Sequence, residues 1–146
     1  MILVSSCLIG LETRYNGEGT RDDSLMEFLK DKRFIPVCPE QLGGLSTPRK
    51  PCEIQFHDGE EKIINIDGED KTHFFIKGAN EVLKLVKEFD IKYAIFKERS
   101  PSCGKGKIYD GSFSSTLISG DGIAAKMLTE AGVKVYNENN FKEMKL

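Results

Sequence analysis

The sequence predicts an α/β fold: a Rossmann-like three-layer sandwich with a small parallel sheet and a β-hairpin excursion. Three observations carry this. First, four short β-branched or aromatic runs, Ile2–Val4, Phe34–Val37, Tyr93–Phe96 and Val133–Tyr136, are separated by helical patterns. Second, strands alternating with helices imply right-handed crossovers, and therefore parallel pairing. Third, the first three runs each lead into a cysteine: Ser5-Ser6-Cys7, Cys38-Pro39-Glu40, and Lys97-Glu98-Arg99-Ser100-Pro101-Ser102-Cys103-Gly104.

Length and composition set the outer limits. A chain of 146 residues is expected to form a single α/β domain, 1–146, with a proper core. Hydrophobic residues at 39% and charged residues at 30% describe a soluble globular protein, and a net charge of −2 argues against bulk nucleic-acid binding. No apolar run approaches the ~20 residues that span a bilayer. The N-terminus has no signal-peptide pattern, so the expected compartment is the cytoplasm. The four cysteines contain no Cys-x-x-Cys pair, which removes the usual support for a zinc ribbon or a thioredoxin-like site. In that compartment they also argue against a disulfide framework.

Taken in order, the chain opens on a strand over Met1–Ser6. Leu8–Thr20, with Gly10, Gly17 and Gly19 around Arg14-Tyr15-Asn16, reads as a long shaped loop. Asp22 or Asp23 caps a short helix whose apolar face is Leu25, Met26, Phe28 and Leu29. Pro36 is awkward for a central strand and places the second strand at an edge or in an irregular position, because proline cannot donate to a ladder. Gln41–Cys52 reads as loop. Glu53–Phe56 and Ile63–Ile66 flank Asp58-Gly59, a hairpin signal. From Asp70 to Phe89, the residues Phe75, Ala79, Val82, Val86 and Phe89 share one helical face, with Asp70 or Thr72 as cap. Tyr109-Asp110-Gly111 makes a turn, and Phe113–Ser119 is expected to be extended. Asp121 is expected to cap a helix carrying Ile123, Met127 and Leu128, with Gly132 at its C-terminus. The Lys- and Glu-rich tail is expected to fray.

Ligands of open parallel sheets bind beyond the carboxyl ends of the strands, at a switch in strand order. Cys7, Cys38 and Cys103 all lie at such ends, so they should share one face. Three thiolates without histidine make a soft site, suited to zinc, copper(I) or an iron–sulfur cluster. Buried cysteine is also an ordinary small hydrophobe, the reading that fits Cys52 after Pro51.

The order of motifs resembles the 2-thiouracil desulfidase family along nearly the whole chain. They are Ser5-Ser6-Cys7-Leu8-Ile9-Gly10, Arg14-Tyr15-Asn16-Gly17, Cys38-Pro39-Glu40-Gln41-Leu42-Gly43-Gly44-Leu45, Thr47-Pro48-Arg49, Lys97 to Gly104, Ile108-Tyr109-Asp110-Gly111 and Gly120 to Ala124. The resemblance implies a [4Fe-4S] cluster held by only three cysteines, Cys7, Cys38 and Cys103, with Thr13 standing where many relatives carry a further cysteine. It also implies non-redox desulfuration of a thiolated pyrimidine like 2-thiouracil, as base, nucleoside or nucleotide. C=S becomes C=O, and sulfide is released by way of the open iron.

That chemistry assigns roles. An iron without a protein thiolate accepts a thiocarbonyl sulfur and polarises C=S. Glu40 is the candidate general base that activates water. Ser102 is placed to hydrogen-bond the substrate or relay a proton, with Ser100 as second choice. Arg14, Arg49, Lys97 and Arg99 are candidates to orient a pyrimidine or a phosphate. His57 and His73 read as structural. The alternative reading is a zinc- or thiol-containing binding domain, or a sulfur carrier, without desulfidase activity.

Overall fold

The structure is a computed structural model that describes residues 1–146. Its centre is a parallel four-stranded sheet of β1 (Ile2–Ser5), β2 (Phe34–Val37), β5 (Tyr93–Phe96) and β8 (Lys134–Asn137), in the order β2-β1-β5-β8. The chain starts at the inner strand β1, moves outward to β2, then crosses back to β5. The switch in strand order therefore falls between β1 and β5.

Alternation along β1 divides the interior into two cores. Ile2 and Val4 face one side with Leu25, Leu29 and Ile95, and Leu3 faces the other with Ala94, Phe96 and Val82. The first side is covered by α1 (Asp23–Leu29), whose N-cap Asp22 accepts from the Leu25 N–H at 3.0 Å. The second is covered by α3 (Thr72–Phe89) and α4 (Ile123–Glu130). Pro36 does sit on an edge strand, as its missing N–H requires.

The hairpin is β3 (Cys52–His57) and β4 (Glu60–Asn65), a separate antiparallel pair joined through Asp58-Gly59 and docked on the second core through Ile54 and Ile63. The expected extended piece is strand over its last part, β7 (Leu117–Ser119), which pairs antiparallel with an unforeseen β6 (Lys107–Tyr109); Phe113–Thr116 is loop, not strand.

Four other local expectations are corrected. Pro39–Leu42 is a one-turn helix, α2, with Pro39 at its first position, where a missing N–H costs nothing. Phe89 is exposed, beyond the apolar stripe of α3. Asp121 does not cap α4; its carboxylate holds the Gly106 N–H and Lys105 Nζ instead. The tail does not fray. Phe141 and Met144 are buried in the first core, Phe141 lies edge-on to Phe28 at 5.1 Å, and Tyr93 Oη donates to the Lys145 carbonyl at 2.6 Å.

The contact of α2 with α3 fixes the residues around Cys38. A Cβ on Gly78 would lie 1.9 Å from the Pro39 carbonyl oxygen, and one on Gly43 would lie 1.9 Å from that of Phe74. Two backbones approach this closely only when neither carries a side chain. Gly78→Ala should therefore destabilise the fold by about 3 kcal/mol, at the upper end of overpacking costs. Urea unfolding measures it, and a loss below about 0.5 kcal/mol, the size of an ordinary surface substitution, would show that the helices part without penalty.

Candidate active site

The carboxyl ends of β1, β2 and β5 open into a cavity of about 350 Å³, and Cys7, Cys38 and Cys103 all line it. Each thiol arrives by a different device. Cys7 sits in a 3₁₀ turn, Ser6–Ile9, closed by Gly10 at φ +95°. Cys38 is the N-cap of α2. Cys103 is held by a turn in which Ser100 Oγ accepts from the N–H groups of Ser102 and Cys103 at 3.1 and 2.9 Å.

This last turn also explains why α4 needs no Asp121 cap. The Pro101 carbonyl accepts from the Ile123 N–H at 2.9 Å, and the Ser102 carbonyl accepts from Ala124 and Ala125 at 2.9 and 3.1 Å. The first free N–H groups of the helix are spent on the loop that carries Cys103. A Cβ on Gly122 would lie 2.6 Å from the Ser102 carbonyl carbon, so glycine is what allows the seat.

The donor set suits a soft cationic centre. Burial pushes all three thiols up, and Cys38 adds a smaller upward push on both Cys7 and Cys103. Three thiolates in such a cavity call for compensating positive charge, which a metal or an iron–sulfur cluster carries. A second observation agrees. Thr20 Oγ1 is buried without a hydrogen-bond partner, yet lies close enough to the Cys7 sulfur to counter part of the burial effect. A hydroxyl there has a use once Cys7 is a thiolate, an acceptor far stronger than a thiol. The residues present fit a cluster.

Beside the thiols runs a connected polar wall. Ser102 Oγ donates to Glu40 Oε2 at 2.7 Å and lies 2.9 Å from Ser100 Oγ. With the Ser102 proton on Glu40, and Ser100 Oγ already accepting twice, the Ser100 hydroxyl is the one that donates to Ser102. Chain direction is thus Ser100 to Ser102 to Glu40. Glu40 Oε1 accepts from Arg49 Nε at 3.0 Å, and both side chains are almost fully buried.

Arg49, expected to orient substrate, is spent on the protein. Nη1 reaches Thr47 Oγ1 at 2.8 Å, while Nη2 reaches the Thr13 carbonyl at 3.0 Å and the Cys38 sulfur at 3.9 Å. It locks the Thr13 loop, Cys38 and Glu40 together. The Thr13 hydroxyl is itself 2.6 Å from Ser6 Oγ.

The other expected residues divide. Arg14, Lys97 and Arg99 line the cavity, Lys97 in an ion pair with Glu138 at 2.7 Å and Arg14 over the Tyr15 ring at 5.7 Å. His57 and His73 lie outside it, against Gln55 and the Phe74 ring. Cys52, read as an inert small hydrophobe, stands in the cavity wall with its thiol pushed up to about 12 by burial. Glu53, Tyr109 and Phe113 line the cavity too. None was a candidate site residue, Tyr109 despite lying in a family-like motif, because each comes from a hairpin that sequence periodicity does not dock.

The profile of the 2-thiouracil desulfurase family matches residues 2–140. The chain belongs to this family. Among family relatives, a Bacillus subtilis (strain 168) protein described as uncharacterized protein YbbK is 43% identical over 150 residues, covering 99% of each chain. A solved structure described as the [4Fe-4S]-dependent thiouracil desulfidase TudS superposes with a TM-score of 0.88 at 37% identity, covering 97% of this chain and 93% of that one. The central parallel sheet with its flanking helices and antiparallel hairpins is the TudS fold.

The buried Arg49–Glu40 pair has a stability signature. Arg49→Met should cost about 3 kcal/mol, the loss typical when one partner of a buried pair is stranded. The Glu40→Gln, Arg49→Met double variant should lose less than the sum of the singles. Additive losses in urea melts would mean that the two side chains are not coupled.

Proposed function

We propose that this protein desulfurates a thiolated pyrimidine without net redox change, replacing C=S by C=O. Residues 1–146 act as one desulfidase-like unit on a 2-thiouracil-like base or its nucleotide, with a [4Fe-4S] cluster held by Cys7, Cys38 and Cys103. Family membership and the likeness to TudS support the reaction class. The observation that carries the site assignment is the hydrogen-bonded chain from Ser100 through Ser102 to Glu40, in a cavity that three thiols also line. Held by Cys7, Cys38 and Cys103, the cluster would supply soft Lewis-acid polarisation of the thiocarbonyl group.

The remaining work falls to this chain's side chains. Glu40 takes a proton from the attacking water, so that hydroxide oxygen reaches the thiocarbonyl carbon. The adduct collapses as the C–S bond breaks, and its proton balance closes with hydrogen sulfide and the pyrimidine carbonyl as products. Ser102, in contact with Glu40 Oε2, accepts the captured proton from Glu40 as it gives its own hydroxyl proton to the departing sulfur or a ring nitrogen, while Ser100 keeps its hydrogen bond to Ser102 Oγ. Arg49 keeps the Glu40 carboxylate aimed and balances its charge at the partly buried cavity wall. The four free cysteines accord with a reducing compartment, for which we take the cytoplasm.

Anaerobic purification followed by iron and sulfide counting, and then assay on 2-thiouracil, tests this reading. Wild type should be brown and should convert 2-thiouracil to uracil. Cys103→Ala should lose both colour and activity, and a fully active Cys103→Ala enzyme would end the proposal. Glu40→Gln should keep the cluster and lose about 10²–10⁴-fold in kcat, the usual size of a general-base contribution.

Thr20→Val gives an independent check on the fit of the cluster. It removes an unpartnered buried hydroxyl, so the cluster-free protein should gain about 1 kcal/mol. The loaded protein should surrender iron to a chelator about 10-fold faster, because a thiolate ligand has lost its donor. A variant that retains iron as well as wild type would leave the Thr20 hydroxyl without a role at Cys7.

A further inference from the structure

One wall of the cavity is built by a segment to which the desulfidase reading gives no task. Residues 110–116 join β6 to β7, and Asp110-Gly111-Ser112-Phe113-Ser114-Ser115-Thr116 has the composition of a flexible linker. It is tied down at every step. The Asp110 N–H donates to the Thr116 carbonyl at 2.9 Å, and Asp110 Oδ1 accepts from the Ser112 N–H and hydroxyl at 2.9 and 2.6 Å. The hydroxyls of Ser112, Ser114 and Thr116 form a chain along the exposed side.

The alternate residues, Phe113 and Ser115, line the cavity instead, and both hold left-handed backbone, φ +57° and +60°. The other three non-glycine residues with such backbone are Asp58 and Asp90, in a hairpin turn and a helix cap where aspartate is at home, and Arg99, which also lines the cavity. A phenylalanine gains nothing locally from that conformation. Strain of this kind persists only where the surroundings over-determine it. Here they do. Glu53 Oε1 accepts from the N–H groups of both Gly111 and Phe113, at 3.0 and 3.1 Å, and Gln55 Nε2 donates to the Gly111 carbonyl at 2.9 Å. A Cβ on Gly111 would lie 2.7 Å from the Ile54 carbonyl oxygen, so the loop sits flush on β3.

We propose that Phe113 is the aromatic platform on which the flat ring of the substrate stacks, and that Glu53 is the residue that positions it. This rests on the desulfidase reading for the identity of the ring. The loop spends backbone strain to present a side chain with no hydrogen-bonding edge, whose one asset toward a ligand is a π face. Polar groups of the opposite chemistry, Ser102 and Glu40, line the same cavity and are left to address the reacting edge. The preferred substrates are then planar heteroaromatic thiones, and a saturated or acyclic thioamide is accepted less well although it carries the same C=S.

The test is steady-state kinetics of the cluster-loaded enzyme on 2-thiouracil and on its non-planar 5,6-dihydro analogue. Phe113→Gly should raise KM for 2-thiouracil about 10-fold, the loss expected for one base–aromatic stack, with kcat within about twofold, the pattern of lost uniform binding. It should also erase much of the preference for the planar substrate. Phe113→Tyr should restore both, and Glu53→Gln should fall between. Glycine adopts the left-handed backbone freely, so the melting temperature of Phe113→Gly should not fall.

An unchanged KM with unchanged substrate preference would overturn the proposal, as would a lowered kcat with KM intact. A fall in melting temperature with binding intact would make Phe113 a packing residue and overturn it too. If loaded wild type leaves 2-thiouracil untouched, the desulfidase reading has failed; calorimetric titration of 2-thiouracil then decides separately. Binding about 10-fold weaker in Phe113→Gly upholds the platform, whereas equal affinity, or no binding to wild type, removes it.

Discussion

Everything at the site depends on β1 being paired on both sides by parallel strands. Parallel pairing sends the carboxyl ends of β2, β1 and β5 the same way, and the reversal in strand order between β1 and β5 leaves a crevice there. Three segments far apart in sequence each enter that crevice with a thiol. None has a cysteine neighbour at short spacing, so no local motif could bring them together. The convergence is a property of the sheet. It also makes the thiols hard to ionise alone, because the ends they occupy are desolvated.

A second economy lies in how the site loops use backbone groups that would otherwise be orphans. The Pro101 and Ser102 carbonyls serve as the cap of α4, and Ser100 Oγ collects two N–H groups while its proton remains available to Ser102. The turn that positions Cys103 thereby becomes part of the helix packed on the second core. Moving the thiol means uncapping the helix. Likewise Glu40 lies on a helix only one turn long, which would be marginal in isolation. Its rigidity comes from the glycine-to-carbonyl contact with α3 and from the buried guanidinium of Arg49.

What the sequence disclosed follows the same division between local and long-range physics. Strand cores, the Asp58-Gly59 turn, the Pro36 edge and the amphipathic stripe of α3 are written in local patterns, and they appear where the patterns put them. Cys7, Cys38 and Cys103 were legible as companions because strand ends share a face in a parallel sheet. Failures occurred where a long-range partner overrode a local signal. Asp121 has the chemistry of a cap, but loop carbonyls took the N–H groups and left its carboxylate to Gly106 and Lys105. The charged tail looks solvated except for Phe141 and Met144, and those two are what dock it. Arg49 looked free to meet a ligand because its carboxylate partner is not an i, i+4 neighbour on a helix, where sequence spacing would have revealed it.

The misreading of Arg49 points to how charge is arranged around the cavity. Among the basic residues lining it, Arg49 and Lys97 are neutralised within the wall by Glu40 and Glu138. Their work is to hold carboxylates in place and, for Glu138, to fix the Glu98 N–H at 2.8 Å just past β5. A buried pair contributes little net stability, but it is costly to break and therefore holds its geometry. The polar wall is thus set by groups that solvent screens only in part. That rigidity keeps Ser102 and Glu40 in hydrogen-bonding register at 2.7 Å beside the thiols.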